Sequence, residues 1–257
     1  MSTLVFDIET VPDVEFGRRY LALDGLGDED VAQAMFALRR ERTGNDFLPL
    51  HQQRVVAISC ALRSRDGFRL WSLGDPEAGE AELVARFFDG IERFSPELVS
   101  WNGSGFDLPV LHYRALRHGI AAPRYWEVGD EVREFRYNNY LGRFHWRHID
   151  LMDVLAGFQL RGAARLDEVA VLLGLPGKIG LSGALVWDAW CNGRIGAIRD
   201  YCETDVLNTW LVFLQFEQFR GRRSAAEVEA EQQLVAETLR TDGRAHLAEF
   251  LAAWGRA

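Results

Sequence analysis

A short apolar segment near the start of the chain carries two acidic residues at alternate positions. Residues 4–9 read Leu-Val-Phe-Asp-Ile-Glu, which is typical of a buried β-strand. Successive side chains of a strand point to opposite faces, so Asp7 and Glu9 share one face while Phe6 and Ile8 pack on the other. A strand this apolar is expected at the centre of a sheet. Taken alone, the acidic pair could also mark a strand end that turns into solvent, because Asp-x-Glu occurs about once by chance in a chain of this length.

The rest of the chain alternates strand-like and helix-like patterns. Apolar runs bounded by turn residues predict strands, and apolar residues at helical spacing predict helices. The predicted strands are residues 4–9, 55–62, 68–73, 98–101 and 147–150, and the longer predicted helices are residues 80–94, 108–118 and 195–219, the last closed by Gly221. A turn at residues 64–67 joins the second and third strands into a hairpin. Strands that alternate with helices indicate an α/β fold.

The composition fits one α/β domain with additional segments, or at most two domains. The chain has 257 residues, of which 48% are hydrophobic, enough to bury a sizeable core. Its three cysteines, Cys60, Cys191 and Cys202, are far apart and fit no metal-ligand spacing, which indicates a reducing compartment and small buried apolar roles. No basic region followed by an apolar stretch opens the chain, and no apolar run reaches the roughly 18 residues of a membrane span. We therefore expect a soluble, cytoplasmic protein that makes no contact with a membrane.

The charge of the chain limits how it could contact nucleic acid. A formal net charge of −9 argues against a broad basic surface. Any contact with nucleic acid must then come from a local patch or from bound cations. Of the 29 basic residues, all but Lys178 are arginines, whose planar guanidinium suits bidentate phosphate contacts.

Two segments are expected to lie outside the regular alternation. Residues 13–50 are too long for a plain loop and have mixed charged and helical character, so we expect an insertion that folds over one side of the domain. After Gly221, the pattern Ser224-Ala-Ala-Glu227 is a capping box that starts another helix. The last helix carries an apolar stripe, which is expected to pack on its own domain, the alternative being a partner-binding face. These boundaries predict a domain at residues 1–221 and a C-terminal helical extension at residues 222–257.

Two further acidic motifs lie downstream of the first. Asp107 ends the glycine-containing loop after the fourth predicted strand, and Pro109 near the first turn makes Asp107 a good helix N-cap. That loop leaves the carboxyl end of a strand, where sites gather in open α/β sheets. Tyr201 and Asp205 are four residues apart in the long predicted helix, so they lie on one face, whereas Glu203 points elsewhere. Each motif alone has an ordinary structural explanation.

Together the three motifs resemble those of a known family of nucleases. Phe6-Asp7-Ile8-Glu9-Thr10, Asn102-Gly103-x-x-Phe106-Asp107-x-Pro109 and Tyr201-x-x-x-Asp205 are similar to the three motifs of DEDD-superfamily 3′→5′ exonucleases of the tyrosine subclass. The chain most resembles the proofreading domain of family B DNA polymerases, and within that group the stand-alone bacterial exonucleases related to it. The stretches at residues 147–153 and 200–205 also fit that group. The resemblance covers roughly residues 1–220, by the span of the motifs.

The resemblance implies both a fold and a metal site. The implied fold is α/β and ribonuclease H-like, with a mixed five-stranded sheet, helices on both faces, the first three strands antiparallel and the first, fourth and fifth parallel. The implied cofactors are two divalent metal ions, Mg²⁺ or Mn²⁺: Asp7, Glu9 and Asp205 hold one, Asp7 and Asp107 hold the second, and Tyr201 orients the attacking water. Elementary electrostatics agrees, because converging carboxylates repel one another unless cations neutralise them, and all-oxygen ligands favour Mg²⁺ or Mn²⁺ over zinc.

The same resemblance implies residues that contact the substrate. Phe106 would stack against or wedge beside the terminal base, Asn102 would contact the nucleotide, and Thr10 would lie near the terminal 3′-hydroxyl. The alternative for Phe106 is core packing under its loop, and for Asn102 a turn that satisfies its own backbone. Lys178 could reach a phosphate, but an exposed lysine is usually just solvated.

A segment at residues 133–148 interleaves arginines with aromatic residues. That composition is typical of proteins that bind single strands, and it equally describes an ordinary half-buried hairpin, so both interpretations stay open. Its two histidines, His145 and His148, are expected to belong to the core or to the patch rather than to bind metal. Asp150, which follows, is interpreted as a helix N-cap or as an acid that supports the site, and not as a metal ligand.

The function expected from these motifs is hydrolysis of phosphodiester bonds by a two-metal-ion 3′→5′ exonuclease. Its substrate is expected to be the 3′ end of single-stranded or frayed nucleic acid, with DNA favoured over RNA, and its products nucleoside monophosphates. One alternative is a catalytically inactive ribonuclease H-like module that binds nucleic acid, which the complete motif set disfavours. Another is a structure-selective two-metal endonuclease, which Tyr201 and the loop of Phe106 disfavour.

Overall fold

The sheet has the strand orientations that the family resemblance implied. The computed structural model describes residues 2–256, apart from the side chain of Leu160. Its five strands are β1 (Thr3–Pro12), β2 (Gln53–Ser64), β3 (Gly67–Ser72), β4 (Glu97–Ser100) and β5 (His148–Asp150). They are arranged β3-β2-β1-β4-β5, so β1 is central, as its apolar pattern predicts. β2 is antiparallel to β1 and β3, whereas β4 is parallel to β1 and β5, which confirms the mixed ribonuclease H-like sheet.

Helices fill the connections between the strands and follow the sheet. Within residues 2–256 they are α1 (Val14–Leu21), α2 (Asp28–Thr43), α3 (Glu80–Phe94), α4 (Asp107–His118), α5 (Pro123–Trp126), α6 (Leu151–Leu155), α7 (Leu166–Leu172), α8 (Val186–Cys191), α9 (Ile195–Phe219), α10 (Ala225–Asp242) and α11 (Ala245–Ala253). In this described part of the chain, none of the helices is both long and apolar enough to cross a lipid bilayer.

The central strand divides the core into two halves. On one face of the sheet, Phe6 and Ile8 of β1 pack in a cluster with residues of α3 and α4. On the other face, Val5 belongs to a cluster that includes Trp210 of α9 and residues of α10 and α11. Helices therefore cover both faces, as predicted. Because side chains alternate along a strand, Asp7 and Glu9 share the face of Val5 and point toward α9.

The insertion at residues 13–50 contains α1 and α2 and has a small core of its own. Val31, Met35 and Leu48 are buried in this core. At the start of the insertion, Asp13 pairs with the buried guanidinium of Arg114 in α4 at 2.6 Å. The insertion therefore packs against the side of the domain on which α4 lies.

The C-terminal helices have the predicted capping box at the start of α10 and the predicted apolar stripe in α11. At the start of α10, Ser224 Oγ accepts a hydrogen bond from the Glu227 N–H at 3.3 Å, and Glu227 Oε2 accepts one from the Ser224 N–H at 2.7 Å. In α11, Leu247, Phe250 and Leu251 are buried in the cluster that contains α9. The stripe therefore packs on its own chain and is not offered to a partner. The division of the chain at residue 221 stays a prediction.

The segment that interleaves arginines with aromatics is not a hairpin, and that interpretation is wrong. It begins with a 3₁₀ turn at Arg133–Arg136 and continues as irregular chain up to β5. The side chain of Asn139 satisfies much of the local backbone: its amide donates to the Phe135 carbonyl at 2.9 Å, and its Oδ1 accepts from the N–H groups of Leu141 and Gly142 at 3.1 and 2.8 Å. These bonds give the backbone an alternative to cross-strand pairing.

Candidate active site

Asp7 and Glu9 lie side by side on β1, with the thiol of Cys202 next to them. Each of the three residues offers one donor atom, and these atoms all lie within 4.8 Å of one another. The pairing of β1 with β2 shifts by one residue between Glu9 and Thr10. Such bulges re-aim side chains and occur often beside active sites. Here the bulge follows directly on the acidic pair.

Asp107 is held against the same strand by a backbone hydrogen bond. It is the first residue of α4 and follows Phe106, so the prediction that Asp107 caps this helix is wrong. Its Oδ1 instead accepts a hydrogen bond from the Ile8 N–H at 3.1 Å. The pairing between β4 and β1 ends at Val5, which leaves the Ile8 N–H in need of another acceptor. Since Ile8 lies between Asp7 and Glu9, this bond brings the third carboxylate to the first two.

Tyr201 and Asp205 reach the site from α9. The two residues lie four apart and both line a cavity of about 290 Å³. The Tyr201 hydroxyl lies near the Asp205 carboxylate and opposes part of the rise in the Asp205 pKa that burial causes. This is the arrangement predicted from their spacing on one helical face.

Glu203, although acidic and on the same helix, points away from the site as predicted. It is buried, and its carboxylate pairs with Arg244 at 2.7 Å and with His246 at 2.9 Å. Its hydrogen bonds to these groups and to Ser72 lower its pKa despite the burial, in contrast to the acids of the site. Glu203 therefore fastens the C-terminal helices to α9 and takes no part in the carboxylate cluster.

Desolvation raises the pKa of all four carboxyl groups, and repulsion from the other acids of the site adds to the rise for Asp7 and Glu9. The pKa of Asp7 is raised well above its usual range by desolvation and then by the charges of Asp107, Glu9 and Asp205. The pKa of Glu9 is raised well above its usual range by desolvation and then by Asp205 and Asp107. Desolvation likewise raises the pKa of Asp107 to about 7 and that of Asp205 to about 6. The four acids are therefore close enough to disfavour one another's charge.

The donor set of the site fits hard divalent cations. Carboxylate oxygens are the ligands that Mg²⁺ and Mn²⁺ prefer, and a bound cation would remove the repulsion that raises these pKa values. Burial raises the pKa of Glu9 and of Asp205, and Lys178, exposed on the loop after α7, opposes part of that rise. Its single positive charge does not balance four carboxylates, so the cluster retains capacity for further cations.

Cys202 lies beside the site and is buried, as expected, whereas Cys191 is exposed, so the expectation that each cysteine is buried is wrong for Cys191. Its Sγ donates to the Asp7 carbonyl at 3.4 Å and lies 3.5 Å from Asp7 Oδ2. Burial, followed by the charge of Asp7, raises the pKa of this thiol well above its usual range. Cys202 is therefore a neutral hydrogen-bond donor to Asp7. Sequence spacing gives no signal for it, because the contact joins two elements 195 residues apart.

Asp150 holds the loop that carries Asn102 and Phe106. It caps α6, as predicted, by accepting a hydrogen bond from the Asp153 N–H at 3.4 Å. Its two oxygens also accept from the N–H groups of Asn102 and Ser104, both at 2.9 Å. Asn102 has a φ of 64°, a left-handed conformation that asparagine tolerates, and its carbonyl accepts from the Phe106 N–H at 2.9 Å. Asn102 is thus a turn residue that lines the same cavity as Tyr201.

The remaining candidates lie around this centre. Thr10 follows the bulge, and its hydroxyl donates to Gln53 Oε1 at 3.1 Å. His148 is buried, hydrogen-bonds Ser100 at 2.8 Å, and has its pKa lowered to about 4 by burial, so it is a neutral core residue as expected. His145 accepts a hydrogen bond from the backbone within its own segment and also has a structural role.

Comparison with known proteins decides the family. A family model described as a "predicted 3′-5′ exonuclease related to the exonuclease domain of PolB" matches residues 45–254. The chain belongs to this family. The residues that match include Asp107, Tyr201 and Asp205, while Asp7 and Glu9 precede them on the central strand.

This member of the PolB-exonuclease-related family is also similar to parts of whole polymerases. A DNA polymerase of Pyrococcus glycovorans is 30% identical over 122 residues, which are 43% of this chain and 15% of the polymerase. DNA polymerase 1 of Sulfolobus acidocaldarius is 28% identical over 107 residues, which are 42% of this chain and 10% of that polymerase. The solved structure of the family B DNA polymerase from Pyrobaculum calidifontis has 19% identity and a TM-score of 0.49, covering 99% of this chain and 27% of its own. The chain thus spans a small part of the length of these polymerases.

Proposed function

We propose that this chain is a two-metal-ion 3′→5′ exonuclease of the tyrosine subclass of DEDD nucleases. It shortens the 3′ ends of single-stranded or frayed nucleic acid and releases nucleoside monophosphates. The observation that carries the proposal is the convergence of Asp7, Glu9, Asp107 and Asp205 beside Tyr201. The relatives named above are DNA polymerases, which favours DNA over RNA as the substrate.

The carboxylates are the proposed metal ligands. Asp7, Glu9 and Asp205 would hold one Mg²⁺ or Mn²⁺ ion, and Asp7 with Asp107, the latter directly or through water, a second. When bound, two such ions make a water nucleophilic and stabilise the attacking and leaving oxygens. The desolvated surroundings of these carboxylates strengthen every electrostatic contact made there.

Tyr201 is proposed to orient the attacking water. Desolvation, and then the charges of Asp205, Glu9 and Asp7, raise the pKa of its phenol far above the usual range, so the hydroxyl stays protonated. A neutral hydroxyl both donates and accepts a hydrogen bond. Its contact with Asp205 therefore fits a group that positions water without removing a proton.

The proposed reaction is a single hydrolytic displacement. The water oxygen forms a bond to the phosphorus of the terminal phosphodiester, the bond from phosphorus to the 3′-oxygen breaks, and the 3′-oxygen receives a proton. The products are a nucleoside 5′-monophosphate and a strand with a new 3′-hydroxyl. Phe106 and Asn102 are proposed to contact the terminal nucleotide, Thr10 its 3′-hydroxyl, and Lys178, which lines the same cavity as Tyr201, a phosphate.

A labelled oligonucleotide tests the proposal. A single strand labelled at its 5′ end should give a ladder that shortens from the 3′ end with Mg²⁺ or Mn²⁺, and chelator should abolish the ladder. Asp7→Ala should be inactive because it removes the ligand shared by both ions. Asp66→Ala is the matched control, since Asp66 is an exposed acid in the turn between β2 and β3, and it should leave activity unchanged.

Other outcomes of the same assay would select other functions. A single internal cut would indicate an endonuclease. Equal binding of the oligonucleotide by the wild type and Asp7→Ala, with cleavage by neither, would indicate a module that only binds nucleic acid. Faster shortening of a matched RNA than of the DNA would reverse the substrate preference.

A further inference from the structure

The insertion places a second phenylalanine against Phe106. The ring centroids of Phe47 and Phe106 lie 5.7 Å apart, and the ring planes are inclined by 50°. Phe47 is 58% exposed, and Phe106 is half-buried. An exposed aromatic ring in contact with a substrate-binding candidate is unusual for a residue whose task is core packing, because packing would bury the ring.

The backbone that carries Phe47 is held on both sides. Its carbonyl accepts a hydrogen bond from Arg39 Nε at 2.9 Å, and its N–H donates to Asn45 Oδ1 at 3.2 Å. The next residue, Leu48, is 2% exposed in the core of the insertion. The ring is therefore presented to solvent by an anchored segment, which lowers the ordering cost of a contact with a ligand.

The same segment is connected to a second substrate-binding candidate, Thr10. Gln53 Nε2 donates to the Leu48 carbonyl at 3.1 Å, and Gln53 Oε1 accepts from the Thr10 hydroxyl, also at 3.1 Å. A continuous path of contacts thus leads from Thr10 through Gln53 and Leu48 to Phe47 and on to Phe106. The insertion is therefore in contact, through hydrogen bonds and a ring pair, with two substrate-binding candidates, Thr10 and Phe106.

We propose that Phe47 and Phe106 together form an aromatic platform on which a base at the 3′ end of the substrate strand stacks. The inference rests on the proposed function and adds a substrate contact from the insertion. Phe106 is adjacent in sequence to Asp107, so a base on this platform lies beside the carboxylates. Stacking on aromatic rings tolerates any base, which suits an enzyme that removes successive nucleotides.

Paired variants and paired substrates test the platform. Phe47→Ala is compared with Phe94→Ala, a phenylalanine at the end of α3 that is 59% exposed and lies outside the site. One substrate is an ordinary single-stranded oligonucleotide, and the other has 3′-terminal nucleotides that lack bases. Phe47→Ala should raise KM about tenfold on the ordinary strand, the loss expected for one stacking contact, and should leave KM on the abasic strand unchanged. Phe94→Ala should change neither.

A binding measurement avoids any dependence on turnover. In an Asp205→Asn background, a fluorescent base analogue at the 3′ end should lose fluorescence on binding, because stacking quenches it. The quench should become clearly weaker with Phe47→Ala and with Phe47→Leu, since leucine fills similar space without a π face and only Phe106 remains to stack on the base. Melting temperatures should stay close to wild type, because an exposed ring adds little to the core.

Several results would overturn the platform. Unchanged KM and unchanged quenching in Phe47→Ala would remove Phe47 from substrate binding. An equal loss on ordinary and abasic strands would show that the contribution of Phe47 does not depend on a base, which excludes stacking. If the wild type neither shortens nor binds the ordinary strand, the proposed function itself fails, and the platform fails with it. If the wild type is active and Phe47→Ala is equally active, only the platform fails.

Discussion

The carboxylate of Asp107 accepts a hydrogen bond from the Ile8 N–H, 3.1 Å away and 99 residues earlier in the chain. The bond exists because β4 stops pairing with β1 after Val5, so the strand has a free donor where the helix α4 begins. One backbone group thus joins the acid of a loop-helix junction to the two acids of the central strand. Burial raises the pKa of this carboxylate to about 7, and the hydrogen bond from the Ile8 N–H opposes part of that rise.

Without divalent ions, the protein should lose stability as the pH rises from about 4 to about 7. An ordinary aspartate has a pKa of about 3.9, whereas the folded-state pKa is about 7 for Asp107 and about 6 for Asp205. Between these limits the folded state binds more protons than the unfolded state, so a higher pH favours unfolding. Melting temperatures measured in chelator across this range should fall for the wild type and fall less for Asp107→Asn. If the melting temperature falls equally steeply with pH in the wild type and in Asp107→Asn, the raised pKa of Asp107 is contradicted.

Tyr201→Phe should lower kcat by about tenfold to a hundredfold and leave the affinity for Mg²⁺ unchanged. The substitution removes a hydroxyl that orients water but removes no carboxylate ligand. Measuring kcat by turnover and Mg²⁺ affinity by calorimetry distinguishes the loss of water orientation from a loss of metal binding. Tyr20→Phe is the control, because Tyr20 lies on α1 and is 66% exposed. Full turnover in Tyr201→Phe would take Tyr201 out of the mechanism.

Cys202→Ser should retain activity, whereas Cys202→Ala should lower kcat/KM about two- to tenfold. Serine keeps a donor near Asp7, while alanine removes a hydrogen bond of a kind that contributes about 0.5 to 1.5 kcal/mol. The measurement is kcat/KM with Mg²⁺ for the wild type and for both variants. Cys191→Ala, at an exposed cysteine, should behave as wild type. If Cys202→Ala does so too, the thiol does not position Asp7.

Asp150→Asn should raise KM about tenfold with little change in metal affinity. The amide that replaces one oxygen cannot accept from both the Asn102 and the Ser104 N–H groups, so the loop that carries Phe106 loses one anchor. Steady-state kinetics give KM, and a metal titration gives the affinity for Mg²⁺. Asp153→Asn is the control, since that carboxylate pairs with Arg143 at 2.6 Å. A loss of metal affinity in Asp150→Asn would place Asp150 among the ligands instead.

Local pattern was sufficient for much of the fold. The alternation in β1, the capping box at Ser224 and the spacing of Tyr201 and Asp205 each express a period of one strand or helix, and the structure has all three as predicted. Such features depend on residues only a few positions apart in the sequence. They can therefore be predicted without knowing which distant residues contact them in the folded chain.

Long-range contacts were decided only by the folded chain. Asp107 bonds to Ile8 instead of capping its own helix, Cys202 meets Asp7, and Phe47 meets Phe106 from within a charged insertion. None of these pairs has a periodic signature, because each depends on which backbone groups the sheet leaves unpaired and on how separate elements pack. The acidic residues of the candidate site could therefore be named from their order along the chain, while the groups that hold and surround them could not.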